Sequence, residues 1–226
     1  SLNQELVVAR MQENTDRNRG KESDEIINEC MVLSAVESTA LAIESGLDKK
    51  IDMVNVALTP VAPNADVDKH NPIGKIPALS TKNMDLFDSP VICEYLDSQH
   101  KGRKLFPRKG RERWMALRQQ AMADGLLDAA LLARYESFLR PEEKRWPDWS
   151  KGQMKKIDGV LDQLEAESKA LKGKPTIGTI SIGCALGYLD FRFGHHDWRA
   201  KRPKLAKWFA AFAKTPSMKA TVPPPA

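Results

Sequence analysis

The stretch "NPIGKIPALSTKNMDLFDSPVICEYL", Asn71–Leu96, constrains the fold of this chain more than any other. A Gly-Lys-Ile-Pro turn leads into a short strand, "IPALS". The residues "TKN" then make a hairpin turn into a second strand, "MDLF". An Asp-Ser pair follows, and Pro90 suits the first turn of a helix that begins there. Val91, Ile92, Tyr95 and Leu96 are expected to share that helix's buried face, with Gly102 ending it. Each choice is costly unless a ligand lies across the surface that the turn, the hairpin and the helix start make together.

The residues around this unit extend it into a small α/β domain. From Ser23 to Gly46 the apolar residues Ile26, Ile27, Cys30, Met31, Leu33, Leu41 and Ile43 fall at helical intervals, with Ser23 as N-cap and Gly46 as stop. "KIDMVNVAL", Lys50–Leu58, reads as a mostly buried strand. "TPVAPNADVDKHNP" is a loop broken by Pro and Asn, with room for one helical turn. Beyond "RKLFPRKGRER" the pattern is helical only. Arg111–Leu139 is a long amphipathic helix, and "SKGQMKKIDGVLDQLEAESKAL" is another, with Ile157, Val160, Leu161 and Leu164 on one stripe. Thr176–Phe193 is apolar almost all round and so belongs at the centre of an all-α domain. "PKLAKWFAAFAKTP" is a last amphipathic helix before the tail "VPPPA". The reading is α/β plus all-α, with boundaries near 1–100 and 110–226 and the first 24 residues open.

Composition excludes several classes. The 226 residues are 42% hydrophobic and 29% charged, as in ordinary soluble domains. No apolar run has bilayer-spanning length and no signal-peptide pattern opens the chain, so a cytoplasmic protein without membrane association is expected. Three scattered cysteines, Cys30, Cys93 and Cys184, make neither a disulfide framework nor a zinc signature. The formal charge of +5 is densest over His100–Arg118, read as a solvated linker entering a helix. It lacks the aromatic or zinc-finger spacing of a nucleic-acid binder, and no nucleic-acid partner is expected.

The hairpin and helix start, at this spacing and followed by a helical half, resemble the cytosolic glutathione transferases, and "VNVALTP", "DSPVICEYLD" and "TISIGCALGYLDFRF" resemble a bacterial subgroup. The resemblance runs from about Ala40 to the C-terminus and implies a thioredoxin-like domain followed by a helical bundle. It also implies that Ile76-Pro77 is a cis bond presenting a backbone edge to the cysteinyl part of glutathione. Asp88 would pair with the γ-glutamyl ammonium. Ser89 and the amides at the helix start would hold the γ-glutamyl carboxylate. Lys75 would reach the glycyl carboxylate or remain in solvent. Thr176 and Thr179 match the family's capping pair at the buried helix, a structural role. The implied reaction is attack of the glutathione thiolate on an apolar electrophile, a detoxification chemistry, in a twofold homodimer without a metal.

The family's sulfur-activating Ser, Cys or Tyr follows its first strand, and no matching segment stands upstream of Ala40. Two registers are open. In one, "DEIIN" is the first strand and Cys30 or Ser34 lies near the sulfur. In the other, "ELVVA" is the strand and Cys30 is a helix residue. Cys30 is the catalytic candidate. If it reaches the sulfur, a glutathione-dependent thiol reductase or lyase results. Without an activating residue the chain is a glutathione-binding or interaction protein on the same scaffold. His195 and His196 lack the i+4 partner of a metal pair. Trp114, Arg134, Tyr135 and Phe138 would wall an apolar pocket or pack in a core.

Overall fold

A computed structural model describes residues 4–7, 33–54 and 56–222. They divide into two compact units, one comprising the residues up to Leu105 together with the chain end from Ala220, the other running Phe106–Lys219. In the first, β1 (Gln4–Val7), α1 (Leu33–Glu44), β2 (Ile51–Val54), α2 (Ala65–His70), β3 (Ala78–Ser80), β4 (Asp85–Phe87) and α3 (Ser89–Ser98) follow in order. The sheet has the order β2-β1-β3-β4. β1 pairs parallel with β2, which requires a crossover, and antiparallel with β3, while β3 and β4 form the expected hairpin.

β1 takes in Glu5, Leu6 and Val7 of "ELVVA"; the rest of that segment lies outside the described residues. β1 fills the sheet position that the other register gives to "DEIIN". Ser23 and Cys30 lie outside the described residues. Gly46 stops α1 as its composition implies. Its φ is +66, and the Leu47 and Gly46 amides reach back to the Ala42 and Ile43 carbonyls at 2.8 and 3.0 Å.

Three expectations are corrected. β2 ends at Val54, not Leu58, and it is buried on one face only: Ile51 is buried, whereas Asp52 and Val54, which point to the other face, are exposed. α3 buries Ser89, Ile92, Cys93, Leu96 and Asp97, whereas Val91 is 48% exposed; the stripe is turned by one position from the one read in the sequence. The same helix ends at Ser98, not at Gly102. The buried Asp97 carboxylate accepts the Leu105 amide at 2.8 Å and lies 3.0 Å from His100 Nε2, folding the chain back before Gly102. α1 packs on α3, with Ser38 Oγ and Cys93 Sγ 3.7 Å apart at the contact. Leu58, Val67 and Ile76 make a small separate cluster beneath the loop that leads into β3.

The second unit contains α4 (Gly110–Phe138), α5 (Pro147–Ala166), α6 (Ile177–Arg192), α7 (Pro203–Phe212) and most of the short α8 (Pro216–Ala220). α6 is buried along nearly its whole length and packs on α4. Gly178 permits that approach: a Cβ there would lie 2.6 Å from both the Ala116 carbonyl oxygen and Gln119 Cβ. On α5, Ile157, Leu161 and Leu164 are buried, and burial of each such side chain stabilises by roughly 1.5–3 kcal/mol. Val160 is only half-buried. The Glu165 carboxylate of α5 accepts the Leu205 amide at 2.7 Å, capping α7 from another helix. α8 adds one helix that the sequence pattern did not show.

Candidate functional site

The loop between α2 and β3 is shaped by its own side chains. Asn64 caps α2, accepting from the Asp66 and Val67 amides at 3.0 and 3.4 Å. Asn71, 2% exposed, then organises the turn. Its amide nitrogen donates to the Lys75 carbonyl at 2.7 Å, and its side-chain oxygen accepts from the Ile73 amide at 3.0 Å. Gly74 completes the turn at φ +63. The chain enters β3 through Ile76-Pro77, a cis bond, with Ile76 buried beneath the loop and Lys75 exposed.

The hairpin carries the chain back beside that entry. Thr81 closes its turn by donating to the Met84 carbonyl at 2.8 Å and accepting from the Met84 amide at 3.1 Å. Ala78 pairs with Phe87, so one step further along the two strands come Pro77 and Asp88. Asp88 is exposed and has φ +70 and ψ 126, a combination that L residues rarely adopt and that tends to occur at functional sites. It occupies the N-cap position of α3, yet its side chain makes no capping hydrogen bond. Ser89 follows with 2% exposure, and Pro90 stands in the first turn. A ten-residue helix thus opens on backbone amides that no N-cap side chain covers. Its dipole favours an anion there, and a carboxylate stands one residue before it.

The hairpin therefore brings Ile76, Pro77, Asp88 and Ser89 to one end of the sheet. Other candidates lie elsewhere. Thr176 and Thr179 form a reciprocal capping box at α6, in the other unit, with Thr176 N to Thr179 Oγ1 at 2.9 Å and Thr179 N to Thr176 Oγ1 at 3.4 Å. Trp114 is 69% exposed, and Arg134 stacks on Phe138 at 4.7 Å. His196 Nε2 lies 3.2 Å from Asp158 Oδ1, and among the described residues no three metal-ligating side chains gather. Sequence reasoning overlooked Asn71; an Asn ahead of Pro in a turn was the available signal.

Residues 38–99 match the family model described as glutathione S-transferase, N-terminal domain, and residues 147–211 that described as glutathione S-transferase, C-terminal domain. The chain is 35% identical to the GST-like protein YibF of Escherichia coli, over 72% of this chain and 83% of that one. It belongs to the glutathione S-transferase family.

The glutathione S-transferase A of Pleuronectes platessa is 29% identical over 85% of this chain and 81% of its own. A crystal structure of a glutathione transferase family member from Pseudomonas fluorescens, with bound glutathione, is 40% identical. It covers 97% of this chain and 100% of that one, with a TM-score of 0.86. The chain is a bacterial-type glutathione transferase in fold, a thioredoxin-like domain followed by a helical one. Among its described residues no helix is long and apolar enough to cross a membrane.

Proposed function

We propose that this family member binds glutathione at the end of the hairpin and transfers its thiolate to an apolar electrophile, as a twofold homodimer. The observation that carries the reading is the start of α3. Asp88 holds a strained backbone there without using its side chain to cap the helix, and the buried Ser89 stands beside it. A capping Asp would spend its carboxylate on an amide two or three residues on. Asp88 instead leaves it for a cation, and the helix start is left for an anion. The γ-glutamyl end of glutathione carries an ammonium and a carboxylate on one carbon, which matches that arrangement.

With that end held, the tripeptide runs along the entry of β3 past Ile76, and its glycyl end extends toward the loop of Lys75. The thiol gives up its proton to solvent, the sulfur forms a bond to the electrophilic carbon, and the leaving group departs with its electron pair. Orientation of the thiolate contributes to the rate through proximity. Cys30, outside the described residues, and Ser34 are the candidates to activate the thiol.

The test pairs retention on immobilised glutathione with turnover of an aryl halide. Retention and turnover together are expected, and both should vanish in the Asp88→Ala, Ser89→Ala variant. A chain that is neither retained nor active would overturn the proposal. Retention without turnover would leave glutathione binding and remove the transferase reaction. Sedimentation of the full chain as a monomer would remove the dimer.

A further inference from the structure

The last residue of α2 makes a contact that the proposed reading does not use. His70 Nδ1 lies 3.1 Å from Asp85 Oδ2 on β4, across 15 residues of sequence, with both side chains about one-third exposed. The pair joins the two segments that converge on the site. His70 immediately precedes Asn71, whose side chain sets the turn up to Lys75, and Asp85 lies three residues before Asp88. The β3–β4 ladder alone fixes Pro77 relative to Asp88. It does not by itself hold α2 and the 71–75 turn down onto the hairpin; the buried Leu58–Val67–Ile76 cluster does so from inside, and the His70–Asp85 pair from the helix end.

We infer that the His70–Asp85 pair is a positioning latch for the glutathione site and makes ligand affinity depend on the protonation of His70. The inference rests on the proposed glutathione reading. Histidine changes charge between about pH 5 and 8, the range in which such a latch would act. Protonated His70 meets a carboxylate, and the latch is tight. Neutral His70 keeps at most a hydrogen bond, and the turn loosens.

The other groups around His70 do not reverse that sign. On its own helix stand Asp66, Asp68 and Lys69, of which Asp66 and Lys69 pair with each other at 2.7 Å. From β4 comes Asp85, and from β3 the Ser80 hydroxyl, directly across the ladder from Asp85. Ser80 first, and His70 after it, hold the Asp85 carboxyl below the usual carboxylate range, so it stays ionised throughout the histidine range. Lys75 and Lys82 are exposed on the flanking turns.

The test measures affinity of the full chain for S-methylglutathione, whose sulfur does not ionise, by calorimetry between about pH 5.5 and 8. For the unaltered protein the expected result is binding roughly two- to fivefold tighter at the acid end, the range of a partly exposed ion pair. His70→Gln and Asp85→Asn should each flatten the profile at the weaker affinity, and the double variant should add nothing to either single one. A merely structural pair would lower the melting temperature of the variants and leave the shape of the pH profile intact, and that outcome would overturn the inference. So would variants that bind like the parent at every pH. If the unaltered chain fails to bind S-methylglutathione at all, the glutathione reading itself has failed, and the latch falls with it.

Discussion

Two helices of this protein open in opposite ways. α6 begins at Thr176, in ordinary extended backbone at φ −124, with both threonines of its capping box engaged. α3 begins at Asp88, at φ +70, with its side chain making no capping bond. Both starts carry residues that cap well, so local chemistry does not account for the difference. At α6 the N-terminal donors are used inside the protein, where a closed box stabilises a buried helix. At α3 a strained residue is kept and its capping capacity left unused, which costs stability and leaves charge and amides available to a ligand. The closed helix start serves structure, and the open strained one is where the proposed ligand would be held.

Substitutions can break this contrast. The largest effect is expected for Asp88→Ala with Ser89→Ala: loss of two charge-assisted or buried polar contacts should weaken glutathione binding on the order of a hundredfold. Affinity chromatography and calorimetry read it, and a near-normal melting curve would separate it from unfolding. Next comes Gly178→Ala, which places a Cβ 2.6 Å from the Ala116 carbonyl oxygen and forces α6 away from α4. Overpacking of this kind should cost about 1–3 kcal/mol in denaturant unfolding, with binding retained.

Thr176→Ala is smaller, about 1 kcal/mol, and should also leave affinity alone; a lost affinity would erase the distinction between the two helix starts. Asp88→Gly should act in the reverse sense. Glycine tolerates positive φ, so stability should rise by up to about 1 kcal/mol while binding falls. A protein both more stable and less able to bind would be the sharpest form of the comparison.

The smallest effect concerns pH and the helical unit. Glu136 is buried and accepts from the Trp146 amide and from Arg140 Nε, both at 2.7 Å. First the Trp146 amide and then Arg140 hold its carboxyl below the ordinary 4.5. Because the folded value is the lower one, the stabilisation is present above the unfolded value and is lost as pH falls through the folded one. Glu136→Gln should therefore lower the melting temperature near neutrality, flatten the acid limb below about pH 4.5, and bring variant and parent together at lower pH.

Much of the chain was legible because its signals are local. The Pro, Gly and Asn turns around Asn71–Pro77 lie at fixed offsets from the strands. The Thr176–Thr179 spacing spells its own capping box, and an apolar run such as α6 has few places to go but the centre of a helical unit. Elements whose limits depend on neighbours were misjudged. β2 is an edge strand and stops at Val54, where its described pairing with β1 stops. α3 stops where Asp97 captures the Leu105 amide, eight positions on, and no helical pattern registers such a bond. Its stripe was misplaced because Val91 and Cys93 are both apolar, and only the packing of α1 tells which one is inside.

The sequence by itself determined the family, the hairpin that ends at Asp88-Ser89, and the residue types able to meet a zwitterion. It could do so because turns, caps and strand alternation are short-range consequences of side-chain shape and hydrogen bonding. Only the tertiary structure decided that Asp88 is held at φ +70 without capping its helix, that Ser89 is buried, and that His70 finds Asp85. Those outcomes depend on strand pairing and burial between residues distant in the chain, and their energies belong to the assembled fold.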